Sequence, residues 1–354
     1  MILSEKKGKE MRVEKTIRSG DHKKLKLSQI CITLLLIIYT IATIIPFYFL
    51  FVRSFVATKD STVLHLWIPK AEEFNMDYQF GNMATYYNLD IADFKEKMGL
   101  SGYINPNLTL RQLAEKYDIP EEKIINYLQP LVRYNGFITI WKSGFMKSFY
   151  NTLIIVFGTL ALGGILTIMT GSVLARFRKK WHEHLYRLYI FSMIIPSTVT
   201  MLPCYLIVTK YLGLYDNYLA LILLGAQGGA IPVMIFTSYI ATIPDELRES
   251  VEMDGGTRLT YFLRILLPNM KTPFASYLAI TLPNVWNNML NGILYLKPEH
   301  QPITALINSL SGTYTTNYQA MYSGLFLSII PILLVYLMFQ NLFVKSAMLG
   351  AVKG

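Results

Sequence analysis

The five histidines and two cysteines are the residues best equipped for acid–base, nucleophilic or metal chemistry, and their placement supports none of it. His182 and His184 form a His-x-His pair in a basic stretch without further ligands in metal spacing, which reads as a headgroup-level loop pair. His65 and His300 stand alone, and Cys31 and Cys204 sit inside apolar runs, where a thiol packs. No Gly-x-x-x-x-Gly-Lys-Ser/Thr phosphate loop occurs, so the chain carries no ATP-binding motif of its own. With no convergent nucleophile, base or metal ligands, an enzyme is not expected. What remains is the chemistry of transient binding. Asn284, Trp286, Asn287, Asn288 and Asn291 fall within two helical turns and offer amides and an indole to a polar solute. The same asparagines could equally hydrogen-bond between helices in a membrane. Thr198, Thr200, Gln227, Thr237 and Tyr239 are lesser members of such a path.

The elements that must position these residues are apolar. Of the 354 residues, 53% are hydrophobic and 16% charged, against about 25% charged in a soluble globule. Mean hydropathy is +0.35. Six windows are long enough to cross a bilayer, which takes about 20 mostly apolar residues: Ile30–Phe51, Phe149–Leu174, Leu188–Val208, Asn217–Ile240, Pro273–Leu294 and Tyr322–Val344. Lys and Arg crowd the N-terminal segment (residues 1–27), the loop after window 2 and the loop after window 4, whereas Lys210 and Lys297 are sparse on the other side. The positive-inside bias therefore predicts six spans with both termini cytoplasmic. It also accounts for the +10 net charge without nucleic acid. The first window, within residues 28–56, is too long for a signal-peptide core and reads as an uncleaved span.

Residues 57–146 separate the first two spans and are expected outside as a small helical insertion. Thr109 and Gln112 fit a capping box, and a second short helix is expected over Glu121–Leu128, with acids in its first turn. A DNA-binding helix-turn-helix has no target there.

Residues 243–272 lie on the predicted cytoplasmic side yet keep apolar residues at helical spacing. Pro244, Asp245 and Glu246 mark a helix start, Gly255 and Gly256 break it near Met253, and a second helix is expected from Thr257 to Leu267, ending at Pro268. A helix–glycine–helix element between two spans suits docking into a partner's groove. An interfacial helix at the membrane surface would carry a similar pattern.

This segment resembles the EAA loop of binding-protein-dependent ABC importer permeases. The matching residues are Glu249, Ser250 and Val251, then Asp254, Gly255, Ile265, Leu267 and Pro268, with Ser250 and Val251 in place of the usual alanines. Ala175–Arg178, Ile194–Pro196, Leu202–Pro203, Val285–Asn288 and Gly350–Gly354 are similar to the carbohydrate branch, represented by the maltose system. The resemblance covers residues 28–56 and 147–354.

It implies an all-α membrane protein of the type I importer, MetI-like fold with six transmembrane helices, residues 147–354 forming the core. It implies a heterodimer with a second homologous permease, an ABC ATPase dimer that holds ATP and Mg and docks the EAA loop, and an external substrate-binding protein. No cofactor or metal would be bound by this chain, whose remaining contact is membrane lipid. The implied cargo is a saccharide, for which aromatic stacking and amide hydrogen bonds suit Trp286 and its asparagine neighbours. The rival is an ion-gradient-driven secondary transporter, which ordinarily depends on ionisable residues or broken helices at membrane depth. The six windows contain no Asp, Glu, Lys or Arg.

Overall fold

The computed structural model describes residues 27–58, 64–69, 74–87, 89–176, 180–227, 229–312 and 316–351. The basic segment before Leu27, Phe177 to Lys179 and Val352 to Gly354 lie outside the described residues. The chain forms two compact units, Met1–Phe49 and Leu50–Gly354. Helix α1 (Leu27–Arg53) begins in the first and ends in the second.

In the second unit the named elements among the described residues are helices, joined by turns and loops. Helices α2 (Phe80–Tyr86), α3 (Ile91–Met98) and α4 (Leu110–Lys116) precede α5 (Glu121–Lys142) and α6 (Phe145–Arg176). Then follow α7 (Lys180–Ser192), α8 (Ser197–Leu206), α9 (Tyr218–Gly225) and α10 (Ala230–Ile240). Helices α11 (Glu246–Met253) and α12 (Arg258–Tyr261) lead to α13 (Lys271–Trp286), α14 (Met289–Tyr295), α15 (Ile303–Ser309) and α16 (Tyr318–Ala351).

Three stretches are long and apolar enough to span a membrane unbroken: Ser28–Arg53, Phe145–Arg176 and Tyr318–Leu342. The other three expected windows are interrupted. The third bends by 104° between α7 and α8, where Pro196 has no N–H to give and biases Ile195 away from helix. The fourth bends by 53° between α9 and α10, with Gly229 at φ +62° capping the second piece. The fifth divides at Asn287 and Asn288 between α13 and α14.

Helix α6 is the spine. Its buried face packs against α9, α10, α13 and α15. The core around it includes Val156, Leu160, Ile168, Phe236, Tyr277 and Trp286.

A separate apolar cluster is built from residues 76–128. Here the structure shows a duplication. Helix α4 begins 30 residues after α2, at Leu110 and Phe80, and α5 begins 30 residues after α3, at Glu121 and Ile91. Buried positions match at that offset: Phe80 with Leu110, Met83 with Leu113, Phe94 with Ile124, Met98 with Leu128. An antiparallel bridge between Gln79 and Thr109 joins the two copies at equivalent positions. The capping box at Thr109 and Gln112 is present. Each fully buried Phe, Leu or Ile here contributes roughly 1.5–3 kcal/mol, enough together to hold the two hairpins as one module.

The second copy's last helix does not stop near Leu128. It continues to Lys142 and lies along α16. Gly136 makes the close approach possible, since a Cβ there would sit 2.4 Å from Ser323 Oγ and 2.6 Å from the Gln319 carbonyl oxygen. Gln319 Nε2 donates to the Val132 and Arg133 carbonyls at 2.8 and 3.0 Å. These anchors explain why the helix outruns its local sequence signal: tertiary contacts far along the chain sustain it.

Candidate functional site: a hinged loop and a polar cavity

The segment after α10 folds as two short helical limbs around one turn. Helix α11 ends in a Schellman motif: Gly255 N–H bonds the Glu252 carbonyl at 3.1 Å, and Gly256 N–H bonds the Val251 carbonyl at 2.8 Å. Gly255 sits at φ +74°, the left-handed conformation this motif requires. Thr257 then opens α12 with a capping box to Thr260. The second limb does not end at Pro268. It passes through a π turn at Phe262–Leu266 into a helical turn at Leu267–Asn269, where Pro268 occupies a first-turn position at which no N–H is needed. Helix α13 follows directly.

One face of this element is buried and one is bare. Tyr261, Leu266 and Met270 join the main core, and Val251, Phe262 and Ile265 pack against it. Met253 is 87% exposed, Leu259 64% and Leu263 51%. Glu249, Ser250, Asp254, Leu267 and Pro268 are also exposed. Arg248 pairs with Glu252 at 2.6 Å.

Arg176, the last residue of α6, grips both limbs. Its Nη1 lies 2.5 Å from Asp245 Oδ1 at the head of α11, and its Nη2 donates to the Tyr261 hydroxyl of α12 at 3.2 Å. The guanidinium is pre-shaped for two acceptors at once. Composition counts Arg176 only among the basic loop residues; the two acceptors that define its role lie 69 and 85 positions away.

The other candidate site is a cavity of about 260 Å³ where the interrupted spans converge. Ser197, Thr198, Thr200 and Cys204 line it from α8, Gln227 from beyond α9, and Asn288, Asn291 and Tyr295 from the start and end of α14. Each broken span therefore contributes residues at or beside its break. Irregular backbone at membrane depth is tolerated where it lines such a cavity. Among the lining residues there is no carboxylate, imidazole or cationic side chain.

The structure thus divides the asparagine–tryptophan cluster. Asn288 and Asn291 face the cavity, and Asn288 also accepts the Asn291 N–H at 3.4 Å. Asn284 and Asn287 are exposed but do not line it, and Asn284 Nδ2 is turned onto its own helix at the Ile280 carbonyl. Trp286 is 3% exposed and packs edge-on against Phe149, as a core residue. Thr237 bonds the Val233 carbonyl, and neither it nor Tyr239 lines the cavity.

Helices interrupted around a polar cavity, with an articulated helical loop at one end, define an integral membrane transport component. Residues 143–348 match the family described as binding-protein-dependent transport system inner membrane component, and the chain belongs to that family. It is the permease component of an ABC importer and an inner-membrane protein. The arabinooligosaccharides transport system permease protein AraQ of Bacillus subtilis is 29% identical over 256 residues, 72% of this chain and 88% of that one. The lactose transport system permease protein LacG of Rhizobium radiobacter is 28% identical over 206 residues, 58% of this chain and 74% of its own. Among solved structures, a chain of a bacterial ABC transporter involved in the import of the acidic polysaccharide alginate superposes with a TM-score of 0.59. That match covers 90% of this chain and 97% of the other at 15% identity, a likeness of fold.

Proposed function

We propose that the chain is one half of an alternating-access pathway for a saccharide, driven by a cytoplasmic ABC ATPase that docks on residues 245–271. The observation that carries this reading is the hinged loop. Its motif residues Glu249, Ser250 and Asp254 and its apolar residues Met253, Leu259 and Leu263 are exposed together, while its inner face and Arg176 tie it to the core. Exposed apolar side chains on a rigid two-limbed element suit a groove in a partner. The Glu249 carboxylate accepts no hydrogen bond among the described residues, leaving it to a partner's backbone or arginine.

The names of the relatives AraQ and LacG support a sugar cargo. Amides and hydroxyls of Asn288, Asn291, Thr198, Thr200 and Gln227 would hold it briefly, and a second permease would close the other side. In this reading both termini and the hinged loop are cytoplasmic, the duplicated module lies outside near a substrate-binding protein, and ATP and Mg stay on the partner.

Ion-gradient-driven transporters also build sites from broken helices. The uncharged cavity and the docking loop favour the ATP-driven reading. The deciding experiment is to co-express the chain with a second permease and an ATPase, purify the complex and measure uptake of labelled arabinooligosaccharides and lactose into proteoliposomes supplied with the substrate-binding protein. ATP-dependent uptake lost in Met253→Asp/Leu259→Asp, together with loss of ATPase co-purification, is the expected result. Uptake that ignores ATP and follows a sodium or proton gradient would overturn it.

A further inference from the structure

At the end of the α9–α10 pair opposite the hinged loop, a polar knot joins the loops before α9 and after α14 to Asn151 of α6. Asp216 sits at φ +59°, a left-handed position uncommon for a non-glycine residue. Its carboxylate accepts from the Lys297 N–H at 3.0 Å, meets His300 Nδ1 at 2.8 Å and lies 3.5 Å from Lys297 Nζ. Its own N–H bonds the Tyr295 carbonyl at 2.8 Å. The His300 ring stands edge-on to Tyr218, whose hydroxyl donates to Asn151 Oδ1 at 2.7 Å. Asn151 Nδ2 in turn holds the Glu299 and Gln301 carbonyls at 3.2 and 3.1 Å.

This knot bears on the cavity through α14. That helix is only seven residues long and supplies Asn291 and Tyr295 to the cavity wall, with Asn288 as its cap. A helix so short has no stability of its own and keeps its place through contacts at its ends. Asn288 caps one end. At the other, the Tyr295 carbonyl and the backbone two residues on are both bound to Asp216.

We propose that Asp216 is a positioning residue for the polar cavity: by binding the chain on both sides of the α14 terminus it sets where Asn291 and Tyr295 stand, and His300 Nδ1 holds the carboxylate in place from a third side. The inference rests on the cavity being the solute pathway. The charged groups around the pair are Lys297 and Glu299, with the Tyr218 ring beside His300; a Glu299 carboxylate oxygen lies within 4.8 Å of an Asp216 carboxylate oxygen and a His300 ring nitrogen.

Cys204 lines the same cavity and serves as the native reporter. In the full permease complex carrying Cys31→Ser, the rate of Cys204 labelling by a membrane-impermeant maleimide is measured at a single fixed pH. Asp216→Ala, Asp216→Asn and His300→Gln are each compared with the parent under the same conditions. Asp216→Ala is expected to change the rate at least threefold, Asp216→Asn less, because an amide oxygen still accepts from the Lys297 N–H. His300→Gln is expected to shift the rate less than Asp216→Ala, because the Lys297 N–H still holds the carboxylate. Labelling that is indifferent to both Asp216 variants, in protein that assembles normally, would overturn the positioning role while leaving the pathway intact. A parent Cys204 that the reagent never reaches would overturn the pathway reading and the positioning role with it.

Discussion

Arg176 Nη1 lies 2.5 Å from Asp245 Oδ1, and this contact joins the end of the spine helix to the first limb of the hinged loop. The guanidinium is mostly buried at 12% exposure, while Asp245 is 60% exposed. Because the same side chain reaches the Tyr261 hydroxyl, movement of either limb is felt by α6.

Arg176→Lys should therefore behave almost like Arg176→Ala. An ammonium cannot serve two acceptors in fixed fork geometry. The expected outcome is folded complex with basal ATP hydrolysis and weakened stimulation by the cargo-loaded binding protein. A double-mutant cycle with Asp245→Ala should give a coupling of about 0.5–1 kcal/mol in thermal unfolding, in keeping with a half-exposed pair.

The two glycines of the hinge should differ. A Cβ on Gly255 meets nothing within 4 Å, so Gly255→Ala costs only the left-handed backbone, about 1–2 kcal/mol. A Cβ on Gly256 would meet Val251 Cγ1 at 2.6 Å and the Val251 carbonyl oxygen at 2.9 Å, separating the limbs. Gly256→Ala is expected to lower complex stability more than Gly255→Ala, and Gly255→Asn least of the three. Differential scanning fluorimetry of the three purified complexes gives the order.

Within the asparagine–tryptophan cluster, Asn291→Ala and Asn288→Ala should raise the KM for uptake, the latter also loosening α14 through loss of its cap. Trp286→Phe should leave KM unchanged, because the indole lies in the core with its Nε1 unpartnered and loses no hydrogen bond on substitution. Uptake titrations with each variant decide the matter, and an increased KM in Trp286→Phe alone would reverse the assignment.

Acid should expose the contribution of Asp216. The His300 hydrogen bond first, and the Lys297 backbone N–H second, hold its carboxyl below the usual carboxylate range. A depressed acid stabilises the fold above its unfolded value, about 3.9, and ceases to as pH falls through the lower folded value. The melting-temperature gap between parent and Asp216→Asn should thus be full at pH 6 and shrink below about pH 4. A gap that widens on acidification would contradict the sign.

Gly136→Leu should prevent α5 from seating on α16, since the added side chain would enter the Gln319 backbone. Little folded protein is expected in detergent extracts, whereas Gly99→Ala, at an open turn, should cost no more than its left-handed φ.

Local chemistry made much of this legible from the amino-acid sequence. The Thr109–Gln112 capping box and the break at Gly255 depend on neighbours a few positions away, and both stand where their residues predict. What escaped depends on partners far along the chain. Pro196 marks a possible break, but only the structure shows a 104° turn there, meeting Gln227 and Asn288 around one cavity. The asparagine–tryptophan cluster looked uniform because spacing alone cannot say which side of a helix faces solute; Trp286 faces Phe149 instead. The 30-residue duplication is legible only when residues 79–98 are laid over 109–128, since Phe80 and Leu110 share size and burial but not identity.

Helix α5 serves two masters: its first two turns close the second hairpin, and the rest is clamped to α16 by Gln319 and the Gly136 contact. Pro130 falls between those duties without ending the helix. Module and transport core therefore share one helix, and a change of angle at that proline would reach α16 with no solute in the cavity.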